Sequence, residues 1–101
     1  MKTIYKYKLN FDITLIKGPI EEILDVQWQN STGPVLWATV DTDKKDKTIY
    51  IGTVGTGWEL PWGIDRYIGT VQDDVGYVWH NFVINPKELK QKHEETDSEW
   101  I

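Results

Sequence analysis

Apolar and polar side chains alternate without a break from Leu24 to Gln29, with Leu24, Val26 and Trp28 on one side and Asp25, Gln27 and Gln29 on the other. A period of two marks a half-buried strand, because successive side chains of an extended chain point to opposite faces. The expectation is a strand over residues 23–29 with Leu24, Val26 and Trp28 facing inward. The same period recurs through the first 84 residues. It predicts strands over 3–9 (Tyr5, Tyr7 and Leu9 on one face), 12–17, 35–41 (Leu36, Ala38 and Val40 on one face), 47–54, 66–72 and 77–84. Turn signals separate them: "KGPIEE" with Gly18-Pro19 as the breaker, "NSTGP" at 30–34, the charged "DTDKKDK" at 41–47 and "QDDVG" at 72–76. Seven short strands at regular spacing predict a mainly β chain, a small antiparallel β-sandwich or partly open barrel. A chain of 101 residues holds one domain with a modest core.

The end of the chain reads differently. Asn85 is a candidate helix cap and Pro86 fits the first helical position. "PKELKQKHEE" favours helix, with Leu89 as its apolar anchor, and the stretch from His93 on is acidic, ending in Trp100 and Ile101. The expected division is a β domain over 1–84 and a helical, acidic tail over 85–101.

Five letters, Tyr-Ile-Gly-Thr-Val, occur at 50–54 and again at 67–71. A repeat architecture needs at least three units, so the two copies read as two strands in similar surroundings. Gly52 and Gly69 fall on the tyrosine face of each copy. Two readings stand: a shallow depression walled by Tyr50 and Tyr67, or glycines that let the sheet coil. Between the copies lies "GTGWELPWGIDR", 55–66, long for a hairpin connection and therefore a candidate site. The amides of Gly55, Thr56 and Gly57 can cradle an anion. Trp58 and Trp62 can flank a planar ligand or cap the open end of a barrel. Arg66, the only arginine in the chain, can grip a phosphate or form a structural ion pair with Asp65, Glu59 or Asp73.

Catalytic and metal patterns are missing. There is no cysteine, and the two histidines, His80 and His93, show no metal-ligand spacing. The aspartates at 41, 43 and 46 are interleaved with lysines and read as a solvated loop. Ser31 and Ser98 have no histidine partner in a nucleophile motif. His80 reads as a hydrogen-bonded core histidine, and not a catalyst, on the face of Val78 and Phe82, opposite Trp79 and Asn81. The expectation is a binding protein, not an enzyme, without cofactor or metal. A net charge of −5 argues against a duplex nucleic-acid partner. No segment reads as a signal peptide or a membrane span, and the lack of cysteine fits a reducing cytoplasm.

The order of "MKTIYKY", "ILDVQWQN", "LWATVD", "GTG", "RYIGTVQ" and "YVWHNF" resembles a family of small proteins encoded by tailed bacteriophages, over Met1 to about Phe82. Residues 85–101 extend beyond that likeness. Small phage proteins without catalytic groups commonly sequester or inhibit something of the host. By analogy, the resemblance implies a sponge in the host bacterial cytoplasm that traps a nucleotide signal of the cyclic-oligonucleotide-based antiphage system, an anti-CBASS role, with a cyclic dinucleotide such as cGAMP as the ligand. On that reading Trp58, Trp62, Tyr50 and Tyr67 would supply surfaces for the bases, and Arg66, Thr56 and the Gly55–Gly57 amides would hold the phosphates. Asn81 or Gln72 would read a base edge. A two-fold ligand would suit a homo-oligomer, a dimer or tetramer. A virion or assembly component, and a protein-binding inhibitor of a host enzyme, are the alternatives.

Overall fold

The computed structural model describes residues 1–88 and 95–98. Seven strands carry the fold: β1 (Lys2–Lys8), β2 (Asp12–Gly18), β3 (Ile20–Gln29), β4 (Gly33–Asp41), β5 (Lys47–Gly55), β6 (Ile64–Gln72) and β7 (Val78–Ile84). A further short strand, β8, spans Glu95–Ser98. One sheet has the order β1-β4-β3 and the other β6-β7-β5-β2-β8. The seven strands pair antiparallel throughout, and β8 joins the edge of β2 in parallel. The two sheets pack as a sandwich and do not close into a barrel.

The core between the sheets follows from the alternation. Tyr7 of β1 lies opposite Leu36 of β4, and Tyr5 opposite Ala38. With Leu9, Ile20, Val26 and Val40 they meet Ile16, Ile51 and Val71 from the larger sheet. Burying apolar side chains of this size stabilises by about 1.5–3 kcal/mol each. The Tyr7 hydroxyl is enclosed there without a hydrogen-bond partner among the described residues, and burial pushes its phenol above the usual range.

β3 departs from the expected pattern. Register shifts fall between Ile20 and Glu22 and between Ile23 and Asp25. Each shift adds a residue that has no partner on β4 and resets which face follows. Ile20, Ile23, Val26 and Trp28 consequently face the core, and Leu24, expected inward, is 48% exposed. The turn before β3 is also narrower than "KGPIEE" implies: Pro19 alone separates the two strands.

Among the described residues the predicted C-terminal helix is not found. Pro86–Glu88 makes one 3-10 turn, with the Lys87 amide donating to the Asn85 side chain, and residues 95–98 are extended. Leu89, His93, Trp100 and Ile101 lie outside the described residues. The Asn85 cap is present, and Glu95–Ser98 satisfies its main chain by pairing with the β2 edge. No helix among the described residues is long and apolar enough to cross a membrane.

Candidate functional site

The larger sheet has an outer face, away from β1, β3 and β4, and it carries a second apolar cluster of Ile13, Val54, Trp62 and Ile84, flanked by Tyr50 and Phe82. The chain between β5 and β6 makes this cluster. It leaves β5 by a tight turn in which the Trp58 amide donates to the Gly55 carbonyl at 3.2 Å, with Gly57 at φ +85°. It then folds back and lays the Trp62 indole across Gly52, where a Cβ would collide with the ring. Trp62 is 3% exposed and is core. Its partner on the loop does the reverse: Trp58 is 58% exposed.

The β6–β7 turn approaches from the other side. The Asp73 carboxylate accepts hydrogen bonds from the amides of Val75 (3.0 Å) and Tyr77 (2.9 Å) and from Trp79 Nε1 (3.2 Å). Partial burial pushes this carboxyl up, but the indole and amide donors outweigh it and hold it below the usual aspartate range. Gly76, at φ +93°, completes the turn. Asp74 accepts from Trp28 Nε1 at 2.8 Å. Two indole N–H groups therefore fix one turn to both sheets.

These contacts assemble a row of aromatic rings at one end of the sandwich. Phe11 lies 6.4 Å from Trp28 and 4.4 Å from Trp79, and Trp58 stands edge-on to Trp79 at 5.4 Å and 90°. Beside the row opens a cleft of about 680 Å³ lined by Gly55, Thr56, Trp58, Gly76, Tyr77, Val78 and Trp79. Its volume falls in the range of small-molecule sites. Among the described residues, no Lys or Arg lines it. Behind Thr56, His80 is hydrogen-bonded through both ring nitrogens, Nε2 to Thr56 Oγ at 2.7 Å and Nδ1 to Thr70 Oγ at 3.1 Å. Thr70 Oγ in turn meets Tyr67 Oη at 2.7 Å.

Of the residues singled out in the sequence, the structure brings Trp58, Gly55 and Thr56 to the cleft. Gly57 sits at the adjoining turn with open space where a Cβ would point. Tyr50 packs on the second cluster, and Tyr67 lies on the outer face, edge-on to Phe82 at 5.6 Å. Asn81 is fully buried on the inner face, accepting from Thr53 Oγ at 2.7 Å and donating to the Gly69 carbonyl at 3.2 Å. Arg66 lines a separate groove of about 400 Å³ with Glu22, Lys47 and Asp65. It pairs with Val83, and the Gly55 end of the cleft pairs with Trp79, so roughly 13 Å of strand separates them. Of the two readings of the glycines, the depression shared by Tyr50 and Tyr67 does not form. β7 lies between β5 and β6, and a register shift between Tyr67 and Gly69 turns Gly69 inward onto Val26 while Gly52 faces Trp62. Sequence reasoning missed Tyr77, Gly76 and Trp79 as cleft residues. Two aromatic residues alternating directly after the Gly76 turn were the available signal.

The profile of a domain family described as a domain of unknown function (DUF7352) matches residues 1–92, and the chain belongs to that family. The match runs past Phe82 through the 3-10 turn, and β8 lies beyond it. No curated protein and no solved structure matches the chain.

Proposed function

We propose that this member of the DUF7352 family is a phage-encoded immune-evasion protein that captures a host cyclic dinucleotide and holds it without cleaving it, in the cleft between 55–58 and 76–79. One observation carries the reading: an indole more than half exposed, Trp58, braced edge-on against Trp79 beside a hollow of about 680 Å³. Exposing an indole forgoes the gain of burying it, and a base stacked on such a ring restores about 1–3 kcal/mol. Thr56 Oγ and the loop amides are the donors at hand for the sugar-phosphate. Cyclic dinucleotides are roughly two-fold symmetric, so two copies facing each other would offer each ring twice.

Thermal-shift screening against a panel of cyclic dinucleotides, cGAMP included, tests this directly. The expected result is stabilisation by at least one member, recovery of that nucleotide intact, and loss of the shift in Trp58→Ala. A panel without effect on the folded wild-type protein would overturn it.

A second reading, a protein-binding inhibitor, draws on the aromatic end itself. Val75 is 77% and Tyr77 66% exposed there, beside Asp73 and Asp74, an apolar patch with an acidic border. Under that reading Trp58→Ala abolishes capture of a host protein and no nucleotide co-purifies. A virion component would instead be found in purified particles.

A further inference from the structure

On the outer face, four side chains form one hydrogen-bonded chain that ends in the cleft: Tyr67 Oη to Thr70 Oγ, Thr70 Oγ to His80 Nδ1, and His80 Nε2 to Thr56 Oγ. Only Thr56 of these lines the cleft. A hydroxyl both donates and accepts, and a neutral imidazole has one donor and one acceptor. The chain therefore has two complete arrangements. In the first, Tyr67 donates to Thr70, Thr70 donates to Nδ1, and Nε2–H donates to Thr56 Oγ, so that the Thr56 O–H is free to point into the cleft. In the second, Thr56 donates to Nε2, Nδ1–H donates to Thr70, Thr70 donates to Tyr67, and Thr56 offers the cleft only lone pairs.

Protonation removes the second arrangement. An imidazolium donates from both nitrogens, so Thr56 must accept from Nε2 and its own O–H is released toward the cleft. A positive charge then stands one hydrogen bond behind it. The groups facing His80 are few. β5 places Val54 opposite it and β6 places Thr70 opposite it, and Tyr67 is reached only through Thr70. The carboxylates of Asp73 and Asp74, on the adjoining turn, are engaged by Trp79 and Trp28. Glu59 and Asp65, on the β5–β6 side, are exposed.

We infer that Thr56, backed by His80, is the subsite of the cleft that holds a phosphodiester oxygen, and that His80 is a positioning residue whose protonation fixes Thr56 as a donor. The inference rests on the cleft reading above, with the rings taking the base and Thr56 taking its phosphodiester. It supplies the charge that the lining lacks, because a donor hydroxyl backed by an imidazolium suits an anionic oxygen and one with lone pairs outward repels it.

The test uses adenosine and 3′,5′-cyclic AMP, which share a base and differ by a phosphodiester whose charge is constant from about pH 8 to about pH 5.5, the range over which imidazoles titrate. Affinities of the full chain for both are measured across that range. The expected result is that preference for the cyclic nucleotide over adenosine grows about tenfold as pH falls. His80→Gln and Thr56→Val should flatten that profile, each variant's preference being read against its own adenosine affinity. In parallel, ¹⁵N resonances of His80 in the unsubstituted protein should report a shift in its protonation on adding cyclic AMP and none on adding adenosine. Adenosine binding with a preference that ignores pH, or with unchanged His80 resonances, overturns the subsite and leaves the cleft. Binding of neither probe overturns both.

Discussion

Two tryptophans four residues apart take opposite roles although each lies over a glycine of β5, Trp62 over Gly52 and Trp58 over Gly55. Trp62 fills the space a side chain at Gly52 would occupy, so Gly52→Ala should destabilise by about 1–3 kcal/mol through overpacking, read as a lower denaturation midpoint and a red-shifted indole emission. Trp58→Ala removes an exposed ring and should change stability by less than about 0.5 kcal/mol while abolishing ligand capture. Arg66, read either as a grip on the ligand or as a structural ion pair, lines a groove with Glu22 and Asp65 four residues along β7 from the cleft. Arg66→Ala should therefore leave cleft binding within about 0.5 kcal/mol of wild type by calorimetry. The residue types of a binding surface were legible in the sequence. Which indole was spare was not, because that depends on where the loop lands after it folds back over β5.

At the scale of elements, β3 shows how a bulge redistributes a pattern. Leu24 and Leu36 are the same residue on paired strands, one on a bulge and half exposed, the other fully buried. Leu36→Ala should cost about 2–5 kcal/mol and Leu24→Ala well under 1 kcal/mol, by chemical denaturation. The β6–β7 turn makes a second element-scale prediction. Asp73 titrates below its ordinary range in the folded chain, so its contribution to stability is fully present above the unfolded-state value of about 3.9 and is lost as pH falls through the lower folded value. Acidification below about pH 4 should loosen Trp79 and shift its indole N–H resonance before the sheets unfold; Asp73→Asn should leave that resonance insensitive to acid. The strand positions followed from periodicity because alternation is enforced locally. The bulges did not, since an unpaired residue is defined only by the partner strand.

For the whole molecule, the sandwich ends on one side with β2, whose edge β8 covers over Ile13–Ile16. Truncation after residue 92 keeps the family domain, bares that edge, and should lower stability by about 1–2 kcal/mol while the cleft still binds, because none of the cleft's lining residues comes from β8. The sequence by itself determined that the chain is mainly β, where its seven principal strands lie and that 55–66 is its unusual connection. Side-chain alternation and turn chemistry act between near neighbours and are written along the chain. Tertiary structure alone decided that Phe11, Trp28, Trp58 and Trp79 meet at one end, that Arg66 and Asn81 stay away from it, and that His80 stands behind Thr56. Those juxtapositions join residues up to scores of positions apart, through strand order and bulges, and are fixed only when the two sheets close on a common core.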